Sequence, residues 1–279
     1  THPFENPTPF SNMIEMLSLL LIGCACPYAY GVMIGKRKQG WIIFGAMMLL
    51  LVTTIGLSQW AEHAGNPLFP GLEMLEGKEV RLGITNSSLW SVATTASSNG
   101  SVNCMHCSMS PLAGGIALFN MLLGEVIFGG LGCGLYGMLM FAMITVFLCG
   151  LMVGRTPEFL GHKVEAREMK IATLVVLMHP FLILVGTGIS AAVVAANPEI
   201  GWLNNPSFHG LSEMLYEYTS AAANNGSGFE GLSDNTPFWN IMTGIALIMG
   251  RYFPIVGQVA IAGLLASKKF VPESAGTLK

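Results

Sequence analysis

The tripeptide Asn-Gly-Ser occurs twice, at residues 99–101 and 225–227, so the two copies are 126 positions apart (225 minus 99). The same offset relates Thr94 to Ser220, Pro111 to Pro237 and Gly124 to Gly250. Glycine allows backbone conformations that other residues avoid, and selectivity filters use such backbone to replace the water around an ion with carbonyl oxygens. The repeat therefore predicts two equivalent loops that line a permeation pathway.

Eight residues of the two loops are the candidates for this chemistry. The carbonyl-bearing filter residues are Ser98, Asn99, Gly100, Asn224, Asn225 and Gly226, and the bracing residues are Ser101 and Ser227. One copy alone would favour an ordinary turn, because Asn-Gly is a common turn dipeptide. The second copy, with the same kinds of segment before and after it, favours filter loops.

The elements around the loops are apolar. Of the 279 residues, 52% are hydrophobic and 10% are charged, whereas soluble domains carry about 25% charged residues. Apolar runs long enough to cross a membrane lie near residues 10–35, 41–60, 112–153, 171–196 and 237–266. The sequence therefore predicts an all-α polytopic membrane protein with repeated helix–pore loop–helix units.

Two shorter segments precede the loops, at about 84–96 and 210–223, and they are too short and too polar to span a bilayer. We expect re-entrant half-helices whose C-terminal ends, which are partially negative, point at the loops and attract a cation.

The chain divides accordingly into repeated units. Residues 39–165 form one pore unit with a broken inner helix, and residues 166–270 form the next. Residues 8–12 resemble residues 236–240, the start of the last inner helix, so residues 1–38 are the tail of an earlier unit. Residues 271–279 form a C-terminal stub.

Basic residues predict the orientation by the positive-inside rule. Nine basic residues follow the first, third and fifth runs, against two in the other loops; the nine are Lys36, Arg37, Lys38, Arg155, Lys163, Arg167, Lys170, Lys268 and Lys269, and the two are Lys78 and Arg81. Both Asn-Gly-Ser loops then face outward. The first residues also lie outside although no signal peptide is visible, so we expect a fragment or a processed part of a longer chain.

A glycine-rich segment interrupts the 112–153 run, which is twice as long as one crossing requires. Its glycines are Gly129, Gly130, Gly132, Gly134 and Gly137. Because glycine weakens helices, we expect a break and a gating loop beneath the first filter loop. Residues 132–137 also fit G-x-G-x-x-G, but the strand and helix of a dinucleotide site are missing around them.

Three charges are candidates for roles in the pore region. Glu125 and Arg251 occupy equivalent repeat positions inside apolar runs, and Arg155 follows the third run. Intramembrane charges are costly and usually paired, so one interpretation pairs Glu125 with Arg251 or Arg155 beneath the filter. The alternative is a purely structural ion pair. The alternating charges of residues 155–170 are typical of a solvated surface and could also dock a partner.

Cys104, His106 and Cys107 offer Cys-x-x-Cys with a histidine, but a tetrahedral zinc site would need more ligands, and no second pair is visible. We therefore expect no metal other than the permeating ion. Four of the six cysteines lie within or close to apolar runs, where Cys acts as a small apolar residue, so we expect no disulfide framework. A membrane enzyme that uses His106, Cys107 and Glu125 is a rival hypothesis, although these groups should lie at different membrane depths.

Four stretches, at residues 2–7, 123–130, 154–161 and 222–227, resemble the KdpA family, the potassium-binding, channel-like subunits of the bacterial Kdp potassium-transporting P-type ATPase. The resemblance covers the whole chain but only the second half of the family's sequence. It implies four pore units, of which this chain would carry the third and fourth filters. Asn99, where a Cys is often found, and Cys107, where an Asp usually follows the His, depart from the pattern.

The resemblance further implies that potassium enters from outside and passes through an intramembrane tunnel to the ATP-hydrolysing subunit KdpB, with KdpC and KdpF completing a complex in the bacterial inner membrane. This chain would bind K⁺ and no nucleotide and would not be catalytic itself. A separate chain or a missing segment would supply the first two filters. A stand-alone potassium channel or transporter of the same superfamily is the alternative.

Overall fold

The fold is known from a computed structural model that describes residues 4–65, 73–124 and 126–271. These residues form eight α-helices and one short antiparallel sheet. The helices are α1 (Pro9–Met33), α2 (Arg37–His63), α3 (Gly83–Ser97), α4 (Pro111–Leu122), α5 (Cys133–Val153), α6 (Ala166–Ala196), α7 (Phe208–Ala223) and α8 (Pro237–Ala266).

Five of these helices are long and apolar enough to cross a membrane: α1, α2, α5, α6 and α8. Large apolar side chains such as Leu49, Leu184 and Val259 are exposed on them. Such surfaces are stable only against lipid or protein. The prediction of an all-α polytopic membrane protein is confirmed.

The 112–153 run forms two helices, because α4 ends at Leu122 and α5 begins at Cys133. Gly124 and Gly132, at φ +70° and +93°, take the left-handed backbone that ends one helix and starts the next. Phe128, with φ +48°, is fully buried, and its carbonyl group packs so closely on Gly23 of α1 that a Cβ there would collide with it. The predicted break is confirmed, and its close packing against α1 was not foreseen.

The two predicted short helices are confirmed as α3 and α7. The long helices expose apolar side chains, whereas these two short helices bury polar ones. In α3 the hydroxyl side chains of Ser87, Ser91, Thr94 and Thr95 are almost wholly inaccessible. Polar helices of this kind are stable inside a membrane only when apolar helices surround them.

The two halves pack in the same pattern. Helix α3 contacts α1, α2 and α4, while α7 contacts α4, α6 and α8. Helices α1, α4 and α8 each begin with a Ser or Thr followed by proline, which suits the first turn of a helix. At α1 and α8 the threonine side chain also caps the helix. Each short polar helix therefore packs against the helices on either side of it in the chain and against one earlier helix, which is α1 for α3 and α4 for α7.

Residues 155–170 contain a short hairpin and the start of α6, and most of their charged side chains are exposed. Strands β1 (Glu158–Phe159) and β2 (His162–Lys163) form a hairpin. Lys268, just after α8, bonds to the carboxylate of Glu168 at 2.8 Å and to the carbonyl oxygen of Lys163 at 3.0 Å. The end of α8 therefore fastens the hairpin to the start of α6.

Candidate functional site

The polar loops leave α3 and α7 through the same backbone conformation. Ser98 and Asn224 cap the helices in the left-handed region, at φ 56° and 54°, and Gly100 and Gly226 follow at φ +81° and +101°. The two non-glycine caps are small polar residues, and Asn is among the residues that tolerate this region best. The sequence repeat is thus a repeat of backbone geometry.

Each Asn-Gly-Ser is folded by its own asparagine. The Oδ1 atom of Asn99 accepts hydrogen bonds from the backbone N–H of Ser101, at 3.1 Å, and from its hydroxyl. The Oδ1 atom of Asn225 accepts from the N–H and hydroxyl of Ser227 at 3.0 and 2.6 Å. These are Asx turns, in which the side chain replaces a backbone turn contact.

An aromatic residue of the preceding helix braces each loop. The Nε1–H of Trp90 donates to the carbonyl oxygen and hydroxyl of Ser101 at 2.9 and 3.2 Å. The hydroxyl of Tyr216 lies 3.0 Å from the Ser227 hydroxyl. Trp90 and Tyr216 are themselves 126 positions apart (216 minus 90). The sequence analysis did not identify Trp90 and Tyr216, although the 126-position offset relates these two residues as well.

The two loops meet. The Nδ2–H of Asn225 donates to the carbonyl oxygen of Thr94 at 2.8 Å. A Cβ on Gly100 would collide with the carbonyl oxygen of Asn225, whereas one on Gly226 would come no nearer than 3.9 Å to the Cα of Gly100. Backbone groups of the two loops therefore approach each other at a place where only glycine fits.

The two equivalent asparagines have different environments. Asn225 is only 5% exposed, while its counterpart Asn99 is exposed, and the Nδ2 of Asn99 has no hydrogen-bond acceptor among the described residues. At this position the first loop is therefore more exposed than the second.

Two cavities adjoin the loops, and Arg251 lines both. One, of about 380 Å³, is lined by Ser97, Ser98, Asn99 and Gly130 as well as residues of α1. The other, of about 240 Å³, is lined by Asn224, Gly124 and His179 among others. Gly130 lies close to the carbonyl oxygen of Ser97, so the glycine-rich segment adjoins the end of α3.

The structure does not bring Arg251 and Arg155 together, and the predicted pairing of Glu125 with either of them stays a prediction. The Nη1 of Arg251 donates to the Sγ of Cys133 at 3.2 Å. Arg155 is exposed just beyond the opposite end of α5, a helix of 21 residues and about 30 Å, so it stands apart from the loops. Glu125 lies outside the described residues. Gly129 and Gly132 lie in the segment before α5, and Gly134 and Gly137 lie in its first turns.

Cys104, His106 and Cys107 contact three different parts of the fold. The thiol of Cys104 contacts the carbonyl oxygen of Ser87, and burial raises its pKa to about 12. The Nδ1 of the buried His106 lies 2.7 Å from the Tyr216 hydroxyl, and burial lowers the pKa of this histidine to about 4. Cys107 instead lies beside His209 and Glu213 of α7. The motif therefore does not form one ligand set.

A buried ion pair holds the connection before α3. The Nζ of Lys78 lies 2.8 Å from the Oε2 of Glu62 at the end of α2, and both side chains are inaccessible. The Oε1 of Glu62 accepts a hydrogen bond from the backbone N–H of Ser110, which precedes α4. One carboxylate thus joins three segments around the first half.

The fold and this site define an all-α polytopic membrane protein in which two equivalent polar loops meet within a bundle of apolar helices. The sequence model described as KdpA, potassium-transporting ATPase A subunit, matches residues 1–279. The chain belongs to the KdpA family, as its resemblance predicted.

Three curated relatives illustrate the match, and each is named potassium-transporting ATPase potassium-binding subunit. The chain is 55% identical over 290 residues to that of Phocaeicola vulgatus, 56% over 290 residues to that of Bacteroides fragilis and 50% over 285 residues to that of Geobacillus kaustophilus. Each comparison covers 100% of this chain and 50% or 51% of the relative. The chain spans about half the length of the curated relatives it matches.

Proposed function

We propose that this chain is the potassium-coordinating, channel-like part of an ATP-driven potassium uptake complex, and that residues 97–103 and 224–229 are two of its selectivity-filter elements. K⁺ is the transported ion. The chain itself binds no nucleotide and is not catalytic, and a separate ATP-hydrolysing subunit drives transport. The names of the relatives support potassium binding as the role of the family.

One observation carries the proposal: equivalent loops at the C-terminal ends of two buried half-helices meet through backbone groups at Gly100 and Asn225. The partial negative charge at each helix end favours a cation. Carbonyl groups held close together by side-chain braces can replace its water shell.

Two loops cannot enclose an ion, and the exposure of Asn99 in the first loop supports the need for more. The exposed amide of Asn99 is the counterpart of the Asn225 amide that bonds to Thr94. We infer that Asn99 bonds in the same way to a preceding filter, supplied by a missing segment or a separate chain. In this interpretation residues 39–165 and 166–270 are the third and fourth pore units, and residues 1–38 belong to the end of the second unit.

Below the loops, the cavities lined by Arg251 support a route by which the ion leaves sideways. The glycine-rich segment from Gly129 to Gly137 would gate it, and Glu125, with Arg251 as its partner, would set the charge there. The partners would be KdpB, KdpC, KdpF and lipid. Both loops would face outward from a bacterial inner membrane, with the basic loops in the cytoplasm.

Potassium-limited growth of a host without its own high-affinity system tests the proposal. The missing N-terminal half of the family sequence and the partner subunits are supplied with the chain. Gly226→Asp places a side chain and a charge at φ +101°, so we expect rescue at micromolar potassium to fail. Rescue equal to wild type would refute the filter assignment.

A pair of alanine substitutions sharpens the test. Gly100→Ala should impair uptake more than Gly226→Ala, because only the former adds a collision, with the carbonyl oxygen of Asn225, to the backbone strain. Gly244→Ala in α8, where a Cβ meets nothing within 4 Å, is the control. Co-purification with a P-type ATPase distinguishes the uptake complex from a stand-alone channel or transporter.

A further inference from the structure

We propose that Cys107, His209 and Glu213 form a binding site for a divalent metal ion of the zinc class. The inference does not depend on potassium transport. Cys107 lies in the 3₁₀ turn at His106–Ser108, and the other two lie one turn apart near the start of α7. The ion would join the connection before α4 to the half-helix of the second loop.

The three ligand atoms have the spacing of a metal site. The Sγ of Cys107 is 3.2 Å from the Nε2 of His209 and 3.9 Å from the Oε1 of Glu213, and the latter two atoms are 3.8 Å apart. Bonds of about 2.0–2.3 Å to a tetrahedral zinc ion place neighbouring ligand atoms about 3.3–3.6 Å apart. Each observed distance is within about 0.5 Å of that range.

The arrangement differs from a nucleophilic triad. In a triad the acid contacts one ring nitrogen of the histidine and the nucleophile contacts the other. Here Cys107 and Glu213 both approach the Nε2 of His209. Three donor atoms that converge in this way surround a single point, which is the geometry of ligands and not of a proton relay.

An independent observation is the unbalanced carboxylate of Glu213. Its side chain is fully buried, and its Oε2 has no hydrogen-bond partner among the described residues. Among the described residues, no lysine or arginine forms an ion pair with Glu213, and His209 at 3.8 Å is its one basic neighbour. Buried charges are normally paired or bound to a metal. A divalent cation would balance this carboxylate.

The surroundings suit a bound ion. The Nδ2–H of Asn205 donates to the Oε1 of Glu213 at 3.1 Å, and a hydrogen bond of this kind holds a ligating carboxylate in a fixed orientation. A Cβ on Gly231 would crowd the same oxygen. The side chain of His209 is 42% exposed, so an ion can enter and a water molecule can complete the tetrahedron.

The ligand types select the metal. A thiol, an imidazole and a carboxylate together suit Zn²⁺, whereas Mg²⁺ and Ca²⁺ prefer oxygen ligands alone. On binding, the thiol of Cys107 loses its proton to solvent and the sulfur–metal bond forms, with no change of oxidation state. Because the adjacent His106 contacts Tyr216, the ion would also fix the brace of the second loop.

The full chain in lipid nanodiscs, titrated with Co²⁺ as a coloured substitute, provides the test. We expect a thiolate-to-cobalt charge-transfer band that Zn²⁺ abolishes. Cys107→Ser should remove the band, and His209→Gln and Glu213→Gln should each weaken Zn²⁺ binding by more than about 10-fold. Cys149→Ser, at an exposed thiol of α5, is the matched control and should leave both unchanged.

A measurement on unaltered protein covers variants that do not fold. Wild-type chain is treated with N-ethylmaleimide with and without Zn²⁺, and the labelled peptides are measured by mass spectrometry. Zn²⁺ should lower the labelling of Cys107, and Mg²⁺, which prefers oxygen ligands, should not. Equal labelling of Cys107 in both conditions, or a cobalt band that persists in folded Cys107→Ser, would overturn the proposal.

Discussion

The side-chain amide of Asn225 donates a hydrogen bond of 2.8 Å to the carbonyl oxygen of Thr94, which lies 131 positions earlier in the chain. The same side chain folds its own loop, since its Oδ1 accepts from the N–H and hydroxyl of Ser227. One asparagine therefore shapes the second loop and ties it to the half-helix of the first. Asparagine suits this position because it carries both an acceptor and a donor.

The hydrogen bond from Asn225 to Thr94 can be removed while the Asx turn of the second loop is kept. Asn225→Asp keeps the acceptor oxygen but replaces the donor with a second oxygen facing the Thr94 carbonyl group. We expect a loss of about 1–3 kcal/mol of unfolding free energy, because a buried acceptor loses its donor. Thermal unfolding in nanodiscs measures it. Asn99→Asp, at the exposed counterpart, is the control. An equal loss of stability there would contradict a stabilising role for the Asn225–Thr94 hydrogen bond.

The Tyr216 hydroxyl bridges His106 and Ser227, at 2.7 and 3.0 Å. Tyr216→Phe keeps the ring, which stacks on Phe229 at 4.2 Å, but leaves the buried Nδ1 of His106 without this partner, while the Ser227 hydroxyl keeps only its bond to Asn225. We expect a loss of about 1–3 kcal/mol of stability and, if the loop is a filter, weaker discrimination of potassium from sodium in ion-binding assays. Tyr252→Phe, at an exposed ring of α8, should change neither property; a matching loss there would make the effect non-specific.

His106 should make the fold sensitive to mild acid. Burial lowers its pKa from 6.5 to about 4, so at pH 5 the unfolded chain binds a proton that the folded chain does not. Stability therefore falls as pH drops from 6.5 towards 4 and is unaffected by His106 above that window. Unfolding temperatures at pH 7.5 and 5 measure the effect.

His106→Asn isolates this contribution, because Asn can keep the contact with Tyr216 but does not titrate. The variant should lose less stability than wild type between the two pH values. The comparison is needed because burial raises the pKa of the nearby Glu230, and that group stabilises the fold as pH falls. An unchanged pH dependence in His106→Asn would contradict the assignment.

The buried Lys78–Glu62 pair should be far more sensitive than an exposed pair. Glu62→Gln leaves the ammonium of Lys78 inaccessible and without its counter-charge, which costs about 3–5 kcal/mol. Glu79→Gln removes a charge from the partly exposed Arg81–Glu79 pair at 3.0 Å and should cost less than about 1 kcal/mol. Denaturation of the two variants side by side checks the order, and equal losses would refute it.

The secondary-structure elements and their repetition follow from local sequence patterns. Apolar runs, proline at helix starts, and glycine or asparagine at helix ends act within a few residues, so the spanning helices, both half-helices and the break before Cys133 could be predicted. The 126-residue offset also located the two loops. Their proposed role as filters and the position of Glu125 remain predictions.

Which side chains contact each other follows from the packing of the helices and could not be predicted from local patterns. The sequence linked Cys107 to Cys104 and His106, whereas the fold separates these three and brings Cys107 to His209, 102 positions away. It also joined Asn225 to Thr94 and His106 to Tyr216, and it put Arg155 at the far end of α5. Such contacts join residues that are far apart in the chain and depend on how the helices pack together. A pattern of neighbouring residues does not specify that packing.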